Sequence, residues 1–176
     1  MEGNNRDDLD PSKLEFRMLP EWRVEEVIHE MDQDKRKRLL EELYRRIEAK
    51  ENVYYAEFLR EGEPGIPVGL GSWRIRAWPR MEGPKEACGL VELSFIWVHP
   101  TYRGLGIGKA LVDHAVIEAS KHFEKEGYPL RKVYAMITSG NEKGVEIYRR
   151  WGFEVEAELK MHFSGDNDMY LLSMFL

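Results

Sequence analysis

Three residues without side chains stand where an extended pattern gives way to a helical one, in the run Val98-His99-Pro100-Thr101-Tyr102-Arg103-Gly104-Leu105-Gly106-Ile107-Gly108-Lys109-Ala110-Leu111. At a helix start about four backbone N–H groups lack an internal acceptor. Glycine lets a phosphate approach them closely, and the peptide dipoles favour its negative charge. Arg103 and Lys109 add mobile positive charge at the same mouth. Two further residues have types suited to moving protons. Glu92 interrupts the otherwise apolar run Ala87–Val98 and shares a face with Ser94, Ile96 and Val98 by the period of two. Partial burial would raise its pKa toward neutrality, as a general base requires. Tyr148 carries a phenol of ordinary pKa near 10, able to donate a proton. Its alternative is a core aromatic beside Val145 and Trp151.

Other phosphate loops fit the glycine run less well. A dinucleotide fingerprint needs an early strand–helix–strand unit and an acidic residue about 20 positions on, after the helix. Here the run lies past mid-chain, and Glu124 and Glu126 still belong to the helical pattern. A nucleotide-binding P-loop needs a hydroxyl after its lysine, whereas Gly108-Lys109 is followed by Ala110. A structural alternative, glycines that permit a tight turn and close packing, stays open.

The elements that must position these residues follow from periodicity. Leu14–Leu19 reads as a strand stopped by Pro20, Glu21–Met31 as a short helix, and Asp34–Lys50 as an amphipathic helix with Leu39, Leu40, Leu43 and Ile47 on one side. Val53–Arg60 and Val68–Ala77 read as a hairpin across a Gly/Pro turn at Glu61–Pro67, followed by a loop over Trp78–Lys85. Ala87–Val98 is the longest strand candidate. The glycine-opened helix should run to about Lys125, burying Leu111, Ala115, Ala119 and Phe123 with Val112 and Val116. Arg131–Thr138 reads as a strand and Asn141–Trp151 as a helix with Asn141 as N-cap. Phe153–Phe163 and Met169–Phe175 read as strands around a polar turn at Ser164–Asp168. This plan is α+β, a mixed α/β sheet with helices. Residues 1–13 read as a disordered or weakly held tail and 14–176 as one domain.

With 43% apolar and 33% charged residues the chain is expected to be soluble, and no run reaches the ~18–20 apolar residues of a membrane span. The N-terminus lacks the pattern of a secretory signal, which points to a cytoplasmic protein. A formal net charge of −6 argues against nucleic acid as a partner. Cys88, the only cysteine, is expected to be a small buried side chain rather than a nucleophile, and no residue spacing suggests a metal. His99 and His114 are weaker proton carriers than Glu92. The tract Lys35–Arg38 is flanked by Asp34, Glu41 and Glu42 and reads as surface ion pairing.

Arg103-Gly104-Leu105-Gly106-Ile107-Gly108, after a strand ending in Val98-His99-Pro100, resembles the signature of the GCN5-related N-acetyltransferase superfamily. Asn141, Tyr148 and Gly152-Phe153 resemble its later block, with Gly144 where alanine is more frequent. The likeness spans about Val53–Leu176 in element order and is sharp over Glu92–Leu111 and Asn141–Phe153. It implies a mixed sheet whose central strands, Ala87–Val98 and Arg131–Thr138, splay apart. It also implies acetyl-CoA, with the pantetheine arm along Ile96, Trp97 and Val98, the pyrophosphate on Arg103, Gly104, Leu105, Gly106, Ile107, Gly108 and Lys109, and Asn141 on the pantetheine side. By the same resemblance Glu92 acts as base directly or through water, Tyr148 as acid, and the Ile96 N–H on the oxyanion.

The acceptor would be a primary amine, with Trp73, Arg74, Arg76, Trp78 and Arg80 as one wall of its pocket. The stretch Leu159-Lys160-Met161-His162-Phe163 resembles members that acetylate peptide N-termini, although those more often carry two tyrosines at the His162-Phe163 positions. A lysine amine or a small-molecule amine is the other acceptor class. A non-catalytic CoA sensor or interaction module on the same fold is the alternative function, and a homodimer is the expected assembly.

Overall fold

The computed structural model describes residues 13–28, 33–60, 63–77, 88–160 and 168–176. Its strands are β1 (Leu14–Met18), β2 (Asn52–Arg60), β3 (Glu63–Ala77), β4 (Gly89–Val98), β5 (Leu130–Thr138), β6 (Glu154–Leu159) and β7 (Met169–Phe175). Its helices are α1 (Val24–Val27), α2 (Gln33–Glu48), α3 (Ile107–Lys125) and α4 (Glu142–Arg150). The hydrogen-bonded strand order is β1-β2-β3-β4-β5-β7-β6. The sheet is mixed: β4 and β5 run parallel, while β1/β2, β2/β3, β5/β7 and β6/β7 run antiparallel. The fold class is therefore the mixed α/β plan expected from the sequence.

The chain packs as two compact units, one of residues up to Trp73 with Phe95–His114, the other of Arg74–Ser94 with Ala115–Leu176. In the first, Leu19, Val24, Ile28, Leu39, Leu43, Val53, Tyr55 and Leu70 form a core against which Phe95 and Trp97 pack. The helical stripe read for α2 supplies Leu39 and Leu43 to it. In the second, Val91, Leu93, Val133, Ala135 and Leu172 are buried along β4, β5 and β7, as alternating residues of paired strands must be. Ala115, Ala119 and Phe123 of α3 are fully buried.

Several boundaries differ from the sequence reading, and β6 for one ends at Leu159, short of Phe163. The turn expected over Glu61–Pro67 is shorter, because β3 already starts at Glu63. Register shifts at Ala56/Glu57 and Phe58/Arg60 absorb the irregularity that Gly65 and Pro67 bring to the ladder. The helix expected over Glu21–Met31 is a single 3₁₀ turn, Glu21–Arg23, followed by the four-residue α1. The loop with Trp78 and Arg80, the tail before residue 13 and the turn with His162-Phe163 lie outside the described residues.

Candidate functional site

In the first unit the glycine run has the backbone its composition demands. At the end of β4, His99 donates its N–H to the Val68 carbonyl (2.9 Å), and its Nδ1 accepts from the Thr101 N–H (3.3 Å), capping the turn Pro100–Tyr102. Tyr102 is buried and packs against the rings of His99 and Phe58. The chain then passes through Gly104 at φ 86° and Gly106 at φ 80°. A side chain would cost about 1–2 kcal/mol at such an angle. Nothing lies within 4 Å of where a Cβ on Gly106 would point, so backbone angle, not crowding, requires glycine there.

The first backbone bond of α3 runs from the Ala110 N–H to the Gly106 carbonyl (3.0 Å), so the amides of Ile107, Gly108 and Lys109 precede its ladder. Open space over Gly106 and these amides suit a phosphate linkage, so the residues present fit the CoA pyrophosphate. The expected mobile cations are engaged. Arg103 Nε donates to the Val98 carbonyl (3.2 Å), which ties the loop to β4, and Lys109 pairs with Asp113 one turn along. Ile96, Trp97 and Val98 are half-buried, with Trp97 edge-on to His99.

Three residues not singled out from sequence set the position of this helix. A Cβ on Gly69 would lie 2.9 Å from Leu111 Cδ1 and 3.1 Å from Ile107 Cγ2, and one on Gly71 would collide with the Tyr54 ring. Tyr54, fully buried, crosses Gly71 and donates its hydroxyl to the Leu111 carbonyl (2.7 Å). The spacing Gly69-x-Gly71 inside a strand, two bare positions on one face, is the signal that marks this close approach.

The second unit holds Glu92, Asn141 and Tyr148. Glu92 of β4 is only 4% exposed and sits opposite Tyr134 of β5, the last pair of the parallel ladder among the described residues. Each strand continues, to Val98 and to Thr138. Arg74 reaches Glu92 from β3 with Nη2 (2.9 Å) and Nε (3.3 Å), Arg76 donates from Nε, and the Tyr134 hydroxyl stands at 3.4 Å. This corrects the pKa expectation for Glu92. Burial alone would raise it, but the hydrogen bonds and charges of Arg74 and Arg76 outweigh burial and hold the carboxyl below its usual range. Both arginines lie on β3, within the strand read over Val68–Ala77, and Trp73 beside them is buried at 5% exposure.

Asn141 is the N-cap expected of it: Oδ1 accepts from the Gly144 N–H (2.9 Å). A Cβ on Gly144 would overlap the Asn141 side chain, so the glycine that departs from the family's alanine fits this cap. Tyr148 packs against Trp151 (5.1 Å between ring centres) and edge-on to Phe153 (5.2 Å). Burial pushes its phenol up to about 12. Cys88 is half-buried rather than buried. Among the described residues no group of three or more His, Cys, Asp or Glu is placed to hold a metal ion, and no helix is long and apolar enough to cross a membrane.

Residues 50–155 match the family model of the acetyltransferase (GNAT) domain. Over 129 residues the chain is 32% identical to the N-alpha-acetyltransferase of Sulfurisphaera tokodaii, an alignment covering 68% of this chain and 74% of that protein. The fold superposes on a chain of the NatC complex bound to Gag peptide and CoA with a TM-score of 0.63 at 17% identity, covering 93% of this chain and 99% of that one. It also superposes on a chimera of the spermidine N-acetyltransferase SpeG from Vibrio cholerae and hSSAT, with a TM-score of 0.60 at 17% identity over 93% of this chain and 95% of that one.

Proposed function

The chain belongs to the GNAT acetyltransferase family, and from that premise we propose that it moves the acetyl group of acetyl-CoA to the α-amine of a peptide. The observation that carries the donor side is the left-handed pair Gly104 and Gly106 at the head of α3, with open space beside Gly106. The relative named N-alpha-acetyltransferase supports an α-amine as the acceptor.

Each residue has a defined task in this reading. The amides from Arg103 to Lys109 hold the pyrophosphate, and the backbone of Ile96, Trp97 and Val98 aligns the arm that carries the thioester. Asn141 spends Oδ1 on its own helix, so its part toward the ligand falls to the Nδ2 donor. The amine nitrogen bonds to the acetyl carbon, the carbon–sulfur bond breaks, and the sulfur takes a proton. Tyr148 supplies that proton, and the second proton that the nitrogen sheds as the amide forms restores the phenol; with its pKa raised to about 12 it is fully protonated at neutral pH. The Ile96 N–H faces the developing oxyanion, where a fixed dipole stabilises charge without reorganising.

Glu92 receives the proton of the acceptor ammonium, directly or through water. A carboxylate held by two arginines is ionised but weakly basic, and the same two cations help in another way. Positive charge beside an ammonium lowers its pKa, so the acceptor sheds its proton to a weaker base. The expected pH limb near neutrality therefore belongs to the acceptor, not to Glu92.

Thiol release from acetyl-CoA, measured with a peptide, spermidine and an amino sugar in turn, tests the reading. Release with the peptide well above the others supports it. CoA binding without release for any amine would leave a CoA-binding module, and release with spermidine alone would move the acceptor to small amines.

A further inference from the structure

Arg74, Arg76, Glu92 and Tyr134 form a row across three adjacent strands of the second unit. One arginine suffices to neutralise Glu92, and Arg74 already engages both carboxylate oxygens. Arg76 brings a second positive charge to the same carboxylate. It is not buried with its partner: the Arg76 side chain is 42% exposed and that of Arg74 30%, against 5% for Glu92. Glu92 thus fixes two guanidiniums from below and leaves parts of both facing water. A planar guanidinium oriented in this way is suited to a carboxylate from outside.

We propose that Arg76, with Arg74, forms an anion subsite that selects acceptors bearing a carboxylate close to the reacting amine. The inference rests on the reading of Glu92 as the residue that meets the acceptor, because any amine delivered to Glu92 comes within a few ångströms of both arginines. Two sources carry this chemistry: an acidic side chain next to a peptide N-terminus, or the α-carboxylate of a free amino acid. A purely structural account needs one arginine, and gives no reason for a second that stays exposed.

The test compares kcat/KM within two isosteric pairs. One is a peptide with Glu against Gln as its second residue; the other is methionine against methioninamide. A preference of about tenfold or more for the acid in either pair supports the subsite, and the responding pair identifies the source. Arg76→Gln should bring that ratio close to one, and Arg76→Lys should keep part of it. Equal use of acid and amide in both pairs, or a ratio untouched by Arg76→Gln, overturns the inference while leaving acetyl transfer standing. Calorimetric titration of the Glu and Gln peptides onto the CoA-loaded protein reads the same preference without turnover. Binding of the Glu peptide that Arg76→Gln abolishes supports the subsite even if no acceptor is consumed; equal binding of both peptides overturns it.

Discussion

Glu51 and Glu92 are both carboxylates buried beside arginine, yet the two units of the chain use them differently. Glu51, 8% exposed, accepts from Arg46 Nη1 (2.8 Å) and from Ser72 Oγ (2.9 Å). Arg46 is itself only 7% exposed, pairs also with Glu42, and lies 5.0 Å over the Phe95 ring. Arg46 and Glu51 are withdrawn from water together, and Glu42, its side chain 30% exposed, carries the group to the surface. Glu92 is as deeply buried, but its arginines reach solvent and outnumber it. A pair buried together specifies packing; an ion pair with exposed charge keeps a surface for a ligand. β3 takes part in both, with Ser72 in one and Arg74 and Arg76 in the other.

The largest effect that would break this contrast is on stability. Arg46→Ala leaves Glu51 buried without its cation and should cost about 3–5 kcal/mol. Arg76→Ala, which removes an exposed partner, should cost less than about 1 kcal/mol. Urea unfolding of both variants measures the difference, and equal losses would erase the distinction between the two groups. Next in size, Glu92→Gln should lower kcat about a hundredfold with a smaller change in the KM of acetyl-CoA. A normal kcat with lost stability would make Glu92 a second packing residue of the Glu51 kind. Gly106→Ala should weaken CoA binding or stability by about 1–2 kcal/mol through backbone angle alone, and calorimetry with CoA reports it.

The smallest effects are on pH dependence. The Glu92 carboxyl is depressed in the folded chain, so its contribution is fully present above the ordinary value of 4.5 and fades as pH falls through the lower folded value. The stability gap between wild type and Glu92→Gln should accordingly narrow below pH 4.5. Tyr148, raised from 10 to about 12, behaves oppositely: its burial favours folding below pH 10 and is lost as pH rises through the folded value. Ultraviolet titration at pH 11 should find one more neutral tyrosine in the wild type than in Tyr148→Phe.

Local pattern made much of this legible. The glycine run, the buried stripe of α3 and the Asn141 cap each follow from neighbours in sequence, since a helix start, a helix face and a cap are decided within one or two turns. The arginine grip on Glu92 was not legible. Arg74 and Arg76 lie 18 and 16 residues before it, and only the β3–β4 adjacency brings them together. Burial predicted from an apolar strand gave the right environment and the wrong pKa direction, because hydrogen-bond partners across strands decide the sign. The role of Tyr54 is hidden for the same reason, since the carbonyl it meets is 57 residues away.

The most direct measurement uses a peptide with both a free N-terminus and an internal lysine, incubated with acetyl-CoA, with released thiol and the acetylated position read together. The account predicts one thiol per acetyl group and acetylation at the α-amine. Acetylation at the lysine amine, or thiol released with no acetylated peptide, would contradict it.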